Sequence, residues 1–323
     1  MATADQVKAL VRSHAEGDDT KFYSIALQVA ARAARGGQGH FAQELRDLVD
    51  ALRSASPSRP IPVNQPRGEL SGILSVRYPE TRMADLVLEP NVRERLDRVL
   101  LEQRQKDALQ AKGFRPFRRL LLIGPPGTGK TMTASALAGD LHLPLFLIRL
   151  DGLITKYMGE TAAKLRLVFD ALSETRGVYL FDEVDALGGE RARTNDVGEI
   201  RRVLNSFLQF LEQDDGDSLL VGATNHPQML DRAMFRRFDS VIDYPLPNSA
   251  VAKELIRNRL ANVQLERIVW KRVIDAATGL SHAEITLAAE NAAKDVILAK
   301  KGQVTTARLV EALQDRQSHS HSL

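Results

Sequence analysis

The chain contains no cysteine, which excludes disulfides, thiolate metal sites and cysteine nucleophiles. Aromatics are scarce too, at 5% of 323 residues with a single Trp. Leu, Val, Ile and Ala must therefore fill the core that a 44% apolar content can build. No uninterrupted apolar run approaches the roughly 18 residues that span a bilayer. The opening MATADQVKALVRSHAEGDD lacks the apolar heart of a signal peptide. Net charge is +3 and the pI near 9.1. That excess of base is too small to argue for nucleic acid, and no helix-turn-helix, zinc motif or basic–aromatic stripe adds to it. A cytoplasmic globular protein with no membrane span is expected, built as one large domain or two to three smaller ones.

Residues 3 to 54 read as helices. Phe22, Ile25, Ala26 and Val29 repeat at helical spacing, as do Phe41, Leu45, Leu48, Val49 and Leu52, with GGQG at 36–39 between the two runs. SASPSRPIPVNQPRGELSG then brings four prolines, which fix φ and remove amide donors, so it reads as a linker. The expected division is an N-terminal helical domain over 1–55, a Pro-rich linker over 56–72 and an α/β domain over 73–247. A helical lid over 248–316 and a polar tail over 317–323 complete it. The α/β assignment rests on four apolar runs, RLLLIG, LPLFLIRL, GVYLFDEV and SLLVGATN, separated by helical patterns. Strands buried on both faces look like this, and helices between them cover both sides of a doubly wound parallel sheet.

The chemistry sits at the ends of these runs. GPPGTGKT supplies Gly124, Pro125, Pro126, Gly127, Thr128, Gly129, Lys130 and Thr131 in the GxxxxGK[ST] spacing of a phosphate loop. Glycines let the backbone turn its amides inward onto phosphate oxygens, and the following helix points its positive end at the same place. Lys130 can reach the β- and γ-phosphates of ATP, and Thr131 can hold Mg²⁺. Asp182 and Glu183 close the apolar run VYLF. Paired carboxylates there are costly unless a cation or water uses them. Asp182 is the natural partner of Mg²⁺, and Glu183 is placed to orient or deprotonate the water that attacks the γ-phosphate.

These motifs resemble those of the AAA ATPases, over roughly residues 73 to 316. Asn225, closing the run SLLVGAT, matches the family's polar sensor residue, which implies contact with the attacking water. Arg236 and Arg237 resemble arginine fingers that act in trans on a neighbouring subunit's ATP. They are adjacent rather than divided by Pro-Gly, as in the branch of katanin, spastin and the ESCRT-disassembly ATPase. KYMGET places Lys156, Tyr157, Met158 and Gly159 where the family has its first pore loop, and 190–199 is similar to a second. Tyr157 would then line a central channel and grip polypeptide. The resemblance implies a homo-oligomer, a hexameric ring that remodels or threads protein. No HExxH protease motif is present, so a separate partner, of the kind seen in ATPase plus subtilisin-like protease pairs, would do any cleavage and dock on the N-terminal helices. GLSHAEI departs from the family's Gly-Ser-Gly-Ala-Asp pattern. Ser281 and Glu284 there have capping-box spacing. His282 replaces a glycine near the expected nucleotide; it is a candidate contact, though an exposed first-turn histidine is the plainer expectation. Two other classes remain open on the sequence: a nucleotide-switch scaffold and a DNA-directed AAA+ accessory protein.

Overall fold

The structure, a computed structural model, describes residues 25–27, 29–30, 33, 40, 43–49, 68–153, 160–187, 197–299 and 302–320. The chain divides into two compact units, Met1–Ile61 and Pro62–Leu323. In the first, the described residues are helical, and Ala26, Val29, Ala30, Ala33 and Val49 are buried. Leu48, expected on the apolar face, is exposed. Adjacent helical residues point about 100° apart, so a stripe that buries Val49 turns Leu48 out to its edge.

The second unit holds one six-stranded sheet: β1 (Leu74–Arg77), β2 (Arg119–Ile123), β3 (Leu145–Ile148), β4 (Val178–Phe181), β5 (Leu219–Thr224) and β6 (Ser240–Asp243). Its order is β1-β3-β4-β5-β2-β6. All pairs are parallel except β1 with β3, which is antiparallel. The sheet is thus mostly parallel, with an antiparallel edge. The four apolar runs of the sequence are β2 to β5. LSVR and SVID, which form the two edge strands, are interrupted by Ser, Arg and Asp and so show no such run.

Alternation along the strands sorts side chains to two faces. Leu120, Leu122, Leu180 and Val221 pack with helices α1 (Pro90–Arg104) and α2 (Lys130–Leu141). Leu121, Tyr179, Phe181 and Leu220 pack on the other side with α3 (Glu160–Glu174) and α4 (Val197–Gln213). The few aromatics gather on that second face: Phe181 and Phe169 both meet Phe207, with centroids 5.2 and 5.9 Å apart, and Phe146 stacks on Tyr179 at 4.4 Å. Such pairs add about 0.5–1.5 kcal/mol beyond their buried area.

After β6 the described residues form four helices, α5 (Ser249–Arg259), α6 (Trp270–Ala277), α7 (His282–Leu298) and α8 (Thr306–Ser320). They enclose an apolar core of their own, including Ile256, Val273, Ile285, Ala289 and Leu309. A polar tie joins this lid to the sheet domain. Asn248 caps α5 by accepting from the Ala250 and Val251 amides, at 2.8 and 3.0 Å. Its own amide and side-chain nitrogen donate to the Glu89 carboxylate at the start of α1, at 3.0 and 2.6 Å. Among the described residues, no helix is long and apolar enough to cross a membrane.

Candidate active site

The phosphate loop leaves β2 through two glycines that nothing else could replace. Gly124 has φ +142°, and a Cβ there would collide with the Tyr244 carbonyl. Gly127 has φ +73°, and a Cβ would lie 2.7 Å from Ser281 Oγ. Both the conformation and the space demand glycine. Tyr244 is buried, and its hydroxyl lies 2.8 Å from Thr133 Oγ1, which itself donates to the Gly129 carbonyl at 3.0 Å. Burial pushes the Tyr244 phenol far above its usual range.

Lys130, at the start of α2, is 6% exposed. Its ammonium donates to the Gly124 and Pro125 carbonyls, each at 2.7 Å. Burial holds its pKa below the usual amine range, against the opposing pull of Asp182 and Asp185. The Thr128 hydroxyl donates to the Pro125 carbonyl at 2.8 Å. Thr131 Oγ1 donates to Asp182 Oδ2 at 2.7 Å, so hydroxyl and carboxylate from different elements meet at one point.

Asp182 and Glu183 occupy the turn beyond β4 rather than the strand itself. Glu183 has φ +54°, a left-handed conformation that costs a non-glycine residue about 1–3 kcal/mol and recurs where function fixes a side chain. Asn225 follows β5. Just before it, Thr224 Oγ1 donates to Asp185 Oδ1 at 2.6 Å and accepts from the His226 amide at 2.9 Å, which pins the strand end.

One cleft of about 900 Å³ collects most of these groups. Pro126, Gly127, Thr128, Gly129, Lys130, Thr131, Asp182, Glu183 and Asn225 line it from the sheet domain. Asp85, Leu86, Val87 and Leu88 line it from the segment before α1, while Leu255, Asn258, Arg259, His282, Thr286, Leu287 and Glu290 do so from α5 and α7. Sequence reading missed the last two groups apart from His282. Their spacing carries no motif, because the contacts are made across the domain rather than along the chain. Arg259 and Glu290 pair at 2.7 Å.

Ser281 and Glu284 form the expected capping box: the Ser281 amide donates to Glu284 Oε2 at 2.7 Å, and Ser281 Oγ accepts from the Glu284 amide at 3.4 Å. His282 departs from the expectation of an exposed first-turn residue, since it is buried at 9% exposure. The reason is local. The adjacent Ala283 amide donates to the Gly127 carbonyl at 3.0 Å, so the first turn of α7 is drawn against the phosphate loop. Arg236 and Arg237 do not line the cleft. Arg236 is exposed, and Arg237 forms an ion pair with Glu212 of α4. Lys156, Tyr157, Met158 and Gly159 lie outside the described residues, as do 190–196 of the second loop.

The donor set fits a nucleotide with its cation. Buried Lys130 and the glycine-shaped loop suit phosphate, and one hydroxyl beside one carboxylate suits a Mg²⁺ that shares its remaining positions with phosphates and water.

Comparison with known proteins gives the family. The family model described as "ATPase family associated with various cellular activities (AAA)" matches residues 120–246, from β2 through β6. The chain is 34% identical to the AAA family ATPase y4kL of Sinorhizobium fredii, over 98% of this chain and 96% of that one. It is 32% identical to a proteasome-activating nucleotidase of Methanothermobacter thermautotrophicus, over 70% of this chain but 57% of the nucleotidase, little more than half its length. The crystal structure of the FIGL-1 AAA domain superposes with a TM-score of 0.62 at 25% identity, covering 82% of this chain and 97% of that domain. The chain belongs to the AAA family of ATPases, and it is an enzyme that binds and hydrolyses ATP.

Proposed function

We propose that the chain works as a Mg²⁺-dependent, ring-forming ATPase that uses hydrolysis to remodel, unfold or thread a polypeptide. One observation carries the hydrolytic half: Lys130, Thr131, Asp182, Glu183 and Asn225, drawn from three strand ends, line a single cleft. Lys130 carries positive charge to the β- and γ-phosphates. Thr131 and Asp182 hold Mg²⁺, which when bound neutralises charge on the phosphate oxygens. Glu183, held at an unusual φ, takes or orients the proton of the attacking water. Asn225 fixes that water through its amide.

Arg236 and Arg237 support the ring. A guanidinium that stabilises the transferring phosphoryl group is worth about 10³–10⁵ in rate in comparable enzymes. Both arginines stand away from this chain's cleft, so the ATP they serve is a neighbour's. Arg237 must then exchange Glu212 for phosphate as the ring forms. Lys156, Tyr157, Met158 and Gly159 form the polypeptide-gripping loop. A protein substrate is also what the name of the proteasome-activating nucleotidase suggests for its relatives. A separate protease or effector would dock on the N-terminal helices, and the compartment is the cytoplasm.

The test is the mass of the Glu183→Gln protein by light scattering, with and without Mg·ATP. This variant should bind ATP without turning it over. A nucleotide-dependent rise to about six subunits is expected, sixfold being the stoichiometry the family resemblance implies. A monomer under both conditions would sink the ring and with it the roles of Arg236, Arg237 and Tyr157.

A further inference from the structure

Glu183 stands between two carboxylates, and each of them is tied to a threonine on another element. Before it, Asp182 Oδ2 accepts from Thr131 Oγ1 in the first turn of α2, at 2.7 Å. After it, Asp185 Oδ1 accepts from Thr224 Oγ1 at the end of β5, at 2.6 Å. The first tie joins the two residues that suit Mg²⁺, so a cation competes for it. The second uses neither of them. It also grips both sides of Asn225: Thr224 directly precedes that residue, and the His226 amide directly after it donates to the same Thr224 oxygen at 2.9 Å. Thr224 is 1% exposed, and its hydroxyl gives its one proton to Asp185. The backbone ladder between β4 and β5 ends at Phe181 and Gly222. Past that point, the Asp185–Thr224 bond continues the connection through side chains.

We propose that the Asp185–Thr224 hydrogen bond sets the position of Glu183 relative to Asn225, which makes Asp185 and Thr224 positioning residues for the pair that handles the attacking water. The inference rests on the roles given above to Glu183 and Asn225, and adds what holds the two in register. Groups that act on one water must be well placed, since a displacement of about 1 Å can cost about a hundredfold in rate. Glu183 needs such support, because its φ of +54° persists only where the surrounding structure imposes it. Val184 and Leu187 are buried, and the Ala186 amide donates to the Glu183 carbonyl at 2.8 Å, so the turn is stiff enough to carry the tie at Asp185 back to Glu183. A hydroxyl donating to a carboxylate is among the shorter and stronger hydrogen bonds. Asp185 also acts through space on Lys130, its charge opposing the fall in that amine's pKa. Bond and charge can be removed separately.

Steady-state ATPase kinetics, with titration calorimetry of Mg·ADP, test this on the full chain at one protein concentration. Thr224→Val swaps the hydroxyl for a methyl group, and Asp185→Ala removes the acceptor. Each should lower kcat about tenfold to a hundredfold and leave the KM for ATP and the affinity for Mg·ADP within about twofold. Both delete the same bond, so the double variant should lose no more than the worse single one, whereas independent effects would multiply. Thr224→Ser keeps the donor and Asp185→Asn keeps an acceptor, and each should recover most of kcat. Losses that multiply, or that fall on KM and Mg·ADP affinity as heavily as on kcat, would overturn the proposal. So would a harmless Thr224→Val beside a damaging Asp185→Asn, which would assign Asp185 to Lys130 through its charge. Glu183→Gln is the control. If it turns over ATP as the wild type does, the roles given to the pair fall and this inference with them. If it is inactive while Thr224→Val is as fast as wild type, this inference alone falls.

Discussion

On the phosphate-loop side of the cleft, Lys130, Thr128, Thr131 and Thr133 each have a partner within the chain, at 2.7 to 3.0 Å. On the lid side, the Arg259–Glu290 pair is partly exposed, while His282 is buried and its ring nitrogens have no hydrogen-bond partner among the described residues. The first side keeps its shape through its own bonds. The second leaves the ring nitrogens of His282 unmatched by any described residue. The two touch at few points, among them the Ala283–Gly127 hydrogen bond and the Glu89–Asn248 tie. An arrangement of this kind lets a lid move against a fixed loop, because what must break between them is small.

The sharpest way to break the contrast is to deform the fixed side. Gly124→Ala puts a side chain at φ +142° and against the Tyr244 carbonyl, which is backbone and cannot rotate away. Strain and overpacking each cost about 1–3 kcal/mol, so urea unfolding should show a loss of about 2–6 kcal/mol, with ATP binding lost alongside. A nearly neutral variant would mean that the loop relaxes easily and is not the rigid member of the pair.

That asymmetry also explains what could be read from the sequence. The phosphate loop is contiguous, and each of its residue types answers to one physical demand, so GPPGTGKT announces its turn, its helix and its ligand together. Asp182, Glu183 and Asn225 were legible because each follows an apolar run that marks a strand end. The sheet's interior was legible for the same reason, and its edges were not: LSVR and SVID gain their strand character from pairing with β3 and β2. The lid wall left no trace beyond His282. Asn258 and Glu290 come from two different lid helices, and Leu86, which faces them across the cleft, precedes them by about 170 and 200 residues; tertiary packing that has no local pattern brings the three together. For His282 itself, the sequence suggested a solvent-facing first turn. Its burial follows from the Gly127 contact, which chain spacing does not encode.

A smaller effect is expected at the hinge between loop and sheet. Tyr244→Phe deletes the hydroxyl that lies 2.8 Å from Thr133 Oγ1. Thr133 still donates to Gly129, so no donor is left bare and the cost should be about 1 kcal/mol, that of one neutral hydrogen bond. Denaturant midpoints would read it. A loss several times larger would show that this pair, and not the glycines, holds the loop in place.

The smallest effect belongs to the lid and concerns pH. Burial lowers the His282 pKa in the folded chain below the ordinary 6.5, partly offset by Glu89. Above that value both folded and unfolded chains carry a neutral ring, and His282 contributes no pH dependence. Below it the unfolded chain takes up the proton first, so stability falls as pH falls from about 6.5 toward the folded pKa. His142 is shifted the same way and is present in every variant, so differences between proteins cancel it. Unfolding midpoints at pH 7.5 and 5.5 should therefore drop further for wild type than for His282→Gln. If both proteins lose the same stability, His282 is no more isolated from water than the residues around it, and the contrast between the two sides of the cleft loses its main support.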